Sequence, residues 1–214
     1  MIPFIDLAAQ QARLKPRIDA AIQRVLAHGH YVMGPEVRAF EDELARFGRA
    51  KRALSCGNGT DAIALPLMAW EIGPGDAVFC PSFTFAATPE VIAWTGATPV
   101  FVDVLADTYN LDPNDLEAAI AAVRAKGALR PAAVIAVDLF GQPADYPRLA
   151  EICRRHGMKL VADSAQGFGC TLAGEQANVL AKAFGPGLEA GIPAGMQKLC
   201  ATMESAQSGL RSTP

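Results

Sequence analysis

Apolar residues recur at helical spacing in the first part of the chain. Two sets of them fall three or four residues apart, which is the spacing of one face of an α-helix. The first set is Leu14, Ile18, Ile22, Val25 and Leu26, and the second is Val37, Phe40, Leu44 and Phe47. Gly48 follows the second set, in a position where glycine commonly ends a helix. The pattern therefore predicts two amphipathic helices.

Beyond residue 52 the pattern changes to short apolar runs that alternate with helical stretches. The runs are 53–55, 77–80, 99–102, 132–137 and 159–162, and the helical stretches are 63–70, 86–94, 113–123 and 146–156. A Gly-Pro-Gly-Asp turn at 73–76 and an Asp-Pro helix start at 112–113 separate some of them. Strands that alternate with helices predict an α/β fold of three layers, with a mostly parallel sheet between two layers of helices.

Composition narrows the class of partner. The chain has 214 residues, of which 51% are hydrophobic and 19% charged, as expected for a soluble globular protein. A net charge of −3 and the lack of a basic block argue against nucleic acid and favour a small-molecule ligand. No signal peptide or membrane span is visible, which predicts a cytoplasmic protein. The five cysteines lack metal-ligand spacing, so reduced structural thiols are expected and no metal site.

The glycine turn at residues 57–62, Gly-Asn-Gly-Thr-Asp-Ala, lies between the predicted strand 53–55 and a helix start. Free N–H groups and the positive end of the helix make such a turn an anion site, usually for phosphate. The turn formally fits a dinucleotide fingerprint, but Cys80, Pro81 and Ser82 stand where that fold requires an acidic residue for the ribose. A turn that merely links strand to helix is the simpler alternative.

Residues that follow the predicted strands suggest a different phosphate. Ligands of parallel sheets bind at the carboxyl ends of the strands. Pyridoxal phosphate (PLP) needs a phosphate cradle, an aromatic face and a carboxylate at its ring nitrogen, and Thr60, Phe85 and Asp163 could supply these. Two of these residues also have an ordinary structural explanation, since Asp163 could cap the next segment and Phe85 could be packed in the interior.

Seven ordered motifs carry a resemblance to a known family. They are Gly-Asn-Gly-Thr-Asp-Ala at 57–62, Gly-Pro-Gly-Asp at 73–76, Pro-Ser-Phe-Thr-Phe-Ala-Ala-Thr at 81–88, Gly-Ala-Thr-Pro-Val-Phe-Val-Asp-Val at 96–104, Asp-Thr-Tyr-Asn-Leu-Asp-Pro at 107–113, Leu-Phe-Gly-Gln-Pro-Ala-Asp at 139–145 and Asp-Ser-Ala-Gln at 163–166. Residues 1–176 resemble the DegT/DnrJ/EryC1/StrS family of PLP-dependent sugar aminotransferases. The resemblance implies the large domain of fold-type I PLP enzymes.

The resemblance also implies roles for particular residues and partners. Thr60 and the backbone of Asp61 would hold the cofactor phosphate, and Phe85 would stack on its ring. Asp163 would pair with the ring nitrogen, and Gln166 would contact the phenolic oxygen side. The implied reaction is amination of a nucleotide-linked keto-sugar for surface polysaccharide, with glutamate as the usual amino donor, PLP or pyridoxamine phosphate (PMP) as cofactor, and a homodimer as the assembly.

The family pattern stops near residue 176. The family continues with a Ser-Phe-Phe-Pro-Ser-Lys type motif whose lysine binds the cofactor covalently. Here Lys182 falls too early and Lys198 too late, so no catalytic lysine is assigned. We therefore expect residues 1–176 to be an incomplete PLP-dependent transferase domain that is inactive as this chain. We expect residues 177–214 to be unrelated, out-of-frame or disordered sequence.

Two alternatives remain open at the level of sequence. One is a non-catalytic or lysine-free relative that uses PMP in a dehydration, although the histidine that some such relatives carry at the lysine position is absent from residues 177–214. The other is an NAD-binding domain, which Cys80 disfavours. The resemblance also implies that the last two strands of the large domain lie between the strand before residue 57 and the strand before residue 163. Their loss would leave the predicted strand 53–55 without neighbours.

Overall fold

The computed structural model describes residues 6–172 and 175–176, which divide into two compact units. One unit comprises residues 6–47 and Arg52–Ser55, and the other comprises Gly48–Lys51 and the residues from Cys56 onward. Within the described residues, no helix has both the length and the apolar character required to span a bilayer.

The first unit contains the two helices that the amphipathic pattern predicts, α1 (Leu7–His28) and α2 (Pro35–Phe47). Helix α1 is capped by the Asp6 side chain, which accepts a hydrogen bond from the N–H of Ala9 at 2.9 Å. The apolar faces of both helices remain largely solvent-exposed, and neither helix has a buried residue. Burial within the described residues therefore contributes little to either helix.

The predicted strand 53–55 is wrong, because these residues form no β-ladder. Their attachment is instead local, since the backbone N–H and the hydroxyl of Ser55 both donate to Oε1 of Glu41 at 2.7 Å. A strand needs a hydrogen-bonded neighbour, and no strand in the described ranges pairs with this segment. This agrees with the expectation that the segment would lack neighbours.

The second unit is the predicted three-layer α/β fold. Its main elements are α3 (Gly59–Ala69), β1 (Asp76–Pro81), α4 (Ala87–Trp94), β2 (Thr98–Val102), α5 (Pro113–Lys126), β3 (Arg130–Val137), α6 (Tyr146–His156) and β4 (Lys159–Asp163). Two further short strands, β5 (Thr171–Leu172) and β6 (Glu175–Gln176), pair antiparallel. Strands β1 to β4 form a sheet in the order β2-β1-β3-β4, and all of its pairs are parallel. Four of the five predicted strands are thus confirmed.

Alternate residues of β1, β3 and β4 pack into one of two apolar cores, whereas the edge strand β2 contributes to one of them only. Val78, Ile135 and Val161 lie on the side where Leu67 of α3 and Val91 of α4 pack. On the opposite side, Phe79, Val134 and Leu160 contact the layer formed by α5 and α6. The near-continuous apolar character of the strands is therefore explained by burial on both faces of the sheet.

Candidate functional site

The carboxyl edge of the parallel sheet collects the loops that carry the predicted site residues. Helix α3 precedes β1 and runs back across the sheet, so its N-terminus lies at this edge. The loops that follow β1, β3 and β4 begin at the same edge. Topology therefore brings Thr60, Phe85, Asp163 and Gln166 to one side of the second unit.

The glycine turn forms the predicted helix start. Asn58 is the N-cap of α3, because its Oδ1 accepts a hydrogen bond from the N–H of Asp61 at 2.9 Å. Asn58 Nδ2 also donates to Asp61 Oδ2 at 3.1 Å. A β-carbon on Gly57 would lie 2.9 Å from this Asp61 oxygen, so a larger residue there would displace the Asp61 carboxylate.

This cap leaves some donors of the turn available to an anion. The N–H groups of Gly59 and Thr60 precede the first intrahelical hydrogen bond, in which Ala62 N–H donates to Asn58 O at 3.1 Å. Neither N–H has a hydrogen-bond partner within the part of the chain that the structure describes. The backbone N–H of Asp61, which the family resemblance gives to the phosphate, is occupied by Asn58. Gly59 and Thr60 therefore present the available backbone donors, with the Thr60 hydroxyl beside them.

Asp163 is the last residue of β4 and pairs in register with Val137 of β3. Its side chain is half-buried, and Oδ1 accepts a hydrogen bond from the N–H of Ala165 at 3.1 Å. This bond to the second following residue is an Asx-turn, so the capping alternative holds locally. It engages one carboxylate oxygen and leaves the other to a ligand, so a cofactor role remains compatible with the turn.

Gln166 lies in the same turn, and its side-chain orientation is fixed. Its Oε1 accepts a hydrogen bond from the backbone N–H of Phe140 at 2.6 Å. Because a backbone N–H can bond only to the oxygen of the amide, the Nε2 group is left as the donor of Gln166. A donor is what the phenolate oxygen of a pyridoxal ring requires.

The structure places Phe85 on the surface and not in the core. Its side chain is 76% exposed in the loop between β1 and α4. The alternative in which Phe85 is simply packed in the interior is therefore wrong. An exposed aromatic ring at the ligand edge of the sheet is available to stack on another ring.

A second group of exposed aromatic rings lies at the same edge. The ring centroids of Phe83 and Tyr109 are 5.6 Å apart, and those of Tyr109 and Phe140 are 6.1 Å apart. Tyr109 and Phe140 have φ angles of 59° and 56°, a left-handed conformation that bulky residues rarely adopt. Sequence reasoning did not single out this cluster, because backbone conformation leaves no periodic signal in the sequence.

Sequence reasoning also missed a buried polar centre at Asp138, the residue that follows β3. Its Oδ1 accepts hydrogen bonds from the hydroxyl of Tyr146 at 2.6 Å and from the N–H of Ala144 at 3.1 Å. Its Oδ2 accepts from the hydroxyl of Ser164 at 2.6 Å. Burial, together with the adjacent Asp138 charge, raises the pKa of Tyr146. The available signal was a charged residue directly after an apolar run, which is uncommon in a buried position.

Cys80 bears on the dinucleotide alternative. The side chain is fully buried in β1, and burial raises the pKa of its thiol to about 12. A neutral thiol inside the sheet cannot replace the carboxylate that a dinucleotide fold directs at the ribose. The other described cysteines, Cys56, Cys153 and Cys170, are also free thiols.

Comparison with known proteins gives consistent matches. The sequence profile described as the DegT/DnrJ/EryC1/StrS aminotransferase family matches residues 12–184. A relative from Pseudomonas aeruginosa, UDP-2-acetamido-2-deoxy-3-oxo-D-glucuronate aminotransferase, is 50% identical over 176 residues, which are 82% of this chain and 47% of the relative.

Two solved structures extend the comparison to the fold. A DegT DnrJ EryC1 StrS aminotransferase from Brucella abortus is 52% identical with a TM-score of 0.77, and the match covers 79% of this chain and 45% of that one. NtdA from Bacillus subtilis, with bound PMP, is 28% identical with a TM-score of 0.71, over 82% of this chain and 39% of that one. The chain thus spans about half the length of the relatives that it matches.

Proposed function

Because this chain belongs to the DegT/DnrJ/EryC1/StrS aminotransferase family, we propose that it forms the cofactor-binding part of a PLP-dependent aminotransferase for nucleotide-linked keto-sugars. The observation that carries the proposal is the grouping of three complementary features at one sheet edge. They are the uncapped N–H groups at the start of α3, the carboxylate of Asp163 and the oriented amide of Gln166.

The phosphate of the cofactor would bind at Thr60. Its hydroxyl and the N–H groups of Gly59 and Thr60 supply donors, and the positive end of the α3 dipole favours the negative charge. The N–H of Asp61 would join them only by exchanging its bond to Asn58 for one to the phosphate. Each charge-assisted hydrogen bond gained in this way contributes about 1.5–3 kcal/mol.

Asp163 and Gln166 would act on two different polar positions of the pyridine ring. When bound, the ring serves as an electron sink for the carbon next to the transferred nitrogen. The Asp163 carboxylate would hold a proton on the ring nitrogen, and Gln166 Nε2 would donate to the phenolic oxygen. Phe85, being exposed, would cover one face of the ring and exclude water from it.

The remaining parts of the proposal concern the whole protein. By analogy with the Pseudomonas aeruginosa relative, the substrate is a nucleotide-linked keto-sugar. The proposed amino donor is glutamate, as the family resemblance implies. We further propose a homodimer in the cytoplasm, in a route to surface polysaccharide. The boundary at residue 176 and the inactivity of this chain stay predictions. Lys182, Lys198 and the rest of residues 177–214 lie outside the described residues.

Titration with PMP tests the proposal, because PMP already carries its amine and needs no lysine to bind. We expect saturable binding in isothermal titration calorimetry, weakened about tenfold by Thr60→Ala and by Asp163→Asn, which corresponds to ~1.4 kcal/mol each. Asp145→Ala, which removes the N-cap of α6, is the control for a merely structural effect. Binding of NAD but not of PMP would contradict the proposal.

A further inference from the structure

The turn that carries Asp163 and Gln166 rests on a buried carboxylate. Asp138 is fully buried, and its backbone N–H donates to Asp163 O at 3.0 Å across the ends of β3 and β4. Its Oδ2 accepts the hydroxyl hydrogen bond of Ser164, the residue next to Asp163, at 2.6 Å. Asp138 therefore contacts the turn of residues 163–167 through both its backbone and its side chain.

The fit between Asp138 and the turn is close enough to demand glycine. A β-carbon on Gly167 would lie 2.5 Å from the Asp138 β-carbon and 2.8 Å from Oδ2. A β-carbon on Gly141, which has φ of 84°, would lie 3.2 Å from the backbone oxygen of Gln166. The loop after β3 and the turn after β4 are thus in direct contact at Gln166 and at Gly167.

The other oxygen of Asp138 anchors it to the layer beneath. The Tyr146 hydroxyl and the N–H of Ala144 both donate to Oδ1, so this oxygen is held by residues outside the turn of Asp163. With the weaker contact from the Cys170 thiol to Oδ2 at 3.9 Å, the buried carboxylate accepts four hydrogen bonds, which satisfy it and leave it few alternative positions.

We propose that Asp138 is a positioning residue of the cofactor site, which sets the orientation of Asp163 through Ser164 and so controls how strongly the site holds a protonated pyridine ring. This inference rests on the proposed function. Asp138 touches no cofactor atom in this scheme. Its effect passes through the turn, because the Asp163 carboxylate can meet a ring nitrogen only if residues 163–167 keep their bend.

Two single-atom deletions around the same carboxylate test the inference. Ser164→Ala removes the hydrogen bond on the turn side, whereas Tyr146→Phe removes the one on the α6 side and leaves Ala144 N–H in place. Both should lower the melting temperature. Ser164→Ala should weaken PMP binding by about tenfold in calorimetry, whereas Tyr146→Phe, which loosens Asp138 but keeps its hydrogen bond to Ser164, should weaken it by a smaller factor.

A double variant shows whether the effect passes through Asp163. Because Ser164→Ala acts by misplacing Asp163, the variant Asp163→Asn/Ser164→Ala should bind PMP no more weakly than Asp163→Asn alone. The ultraviolet absorbance of bound PMP should also report deprotonation of its ring nitrogen at lower pH in Ser164→Ala than in the unmodified chain. Additive losses in the double variant, or equal losses in Ser164→Ala and Tyr146→Phe, would overturn the inference.

Amide hydrogen exchange separates this inference from the proposed function, because it needs no cofactor. In Ser164→Ala, exchange of the Ala165 and Gly167 N–H groups should accelerate, since these donate to Asp163 Oδ1 and Ser164 O within the turn. Unchanged exchange would refute the role of Asp138 whatever PMP does. If the unmodified chain binds no PMP, the proposed function fails and the positioning role toward a cofactor fails with it.

Discussion

Replacing Asn110 with aspartate should make the stability of this fold depend on pH. Asn110 is only 4% exposed and ties the loop after β3 to the loop after β2. Its Nδ2 donates to the carbonyl oxygens of Gln142 and Pro143, both at 3.1 Å, and its Oδ1 accepts from the N–H of Leu139 at 3.2 Å. Asn110→Asp keeps the acceptor but points a second oxygen at two carbonyl oxygens.

The loss of folding free energy in Asn110→Asp follows from these contacts. Two buried hydrogen bonds of about 1 kcal/mol each are lost, and an unpaired buried charge raises the total cost to about 3–5 kcal/mol at neutral pH. Protonation restores one donor and reduces the cost to about 1–2 kcal/mol. The difference of ~2.7 kcal/mol is equivalent to raising the pKa of the new carboxyl by about two units.

The sign of the pH dependence follows from that raised pKa. A group whose pKa is higher in the folded state favours folding most below its unfolded pKa, which is about 3.9 for aspartate. That contribution is lost as the pH rises through the folded value, near pH 6. Relative to the unmodified chain, Asn110→Asp should therefore be least destabilised at about pH 4 and most destabilised at about pH 7.

Urea unfolding of both proteins at the two pH values measures this difference. The matched control is Asn114→Asp, an exposed position in the first turn of α5 where an acidic residue suits the helix dipole. The control should change the free energy of unfolding by less than ~0.5 kcal/mol at either pH. Equal destabilisation of Asn110→Asp at both pH values would refute the reasoning, because it would mean that the new carboxyl is not buried against the carbonyls.

Three further predictions concern stability. Tyr146→Phe should reduce the free energy of unfolding by about 1.5–3 kcal/mol in urea, because Asp138 loses one of its donors, and a loss below ~0.5 kcal/mol would argue against the buried network. The Arg130 guanidinium holds the pKa of Asp76 below its usual range. The stability that ionised Asp76 contributes is therefore present above about pH 4 and is lost as the pH falls through that lowered pKa. In melting curves, Arg130→Met should reduce this loss of stability at acid pH. Leu149→Ala, on the buried face of α6, should cost about 2–5 kcal/mol in urea, and a cost under ~1 kcal/mol would mean that the site repacks.

Local signals in the sequence account for most of the second unit. The apolar runs that became β1 to β4 needed no information beyond composition and spacing, and those of β1, β3 and β4 are apolar throughout because both faces of these strands are buried. The Asp112-Pro113 helix start is also local, because Asp112 accepts from the N–H of Asn114 at 2.8 Å and needs no distant partner. Predictions that depend only on neighbours in sequence were therefore confirmed.

The failures have a common cause. The run 53–55 has the composition of a strand, but strand formation requires a neighbour that sequence spacing cannot guarantee. Asp138 looked like one more residue after a strand, and its importance comes from Tyr146 and Ser164, which lie 8 and 26 residues away. Phe85 could equally have been buried, and only the packing around it decides that it is exposed.

Short segments of the sequence account for the alternation of strands and helices, for the glycine turn that begins α3 and for the polar and aromatic residue types that follow the strands. Each of these depends on backbone preference or on side-chain chemistry, which are properties of short segments. The packing of strands and loops against one another sets the contacts between distant residues, in which Phe140 fixes the Gln166 amide and Asp138 supports the turn of Asp163. Hydrogen bonds have strict requirements of distance and direction, and the folded arrangement of the strands and loops sets these.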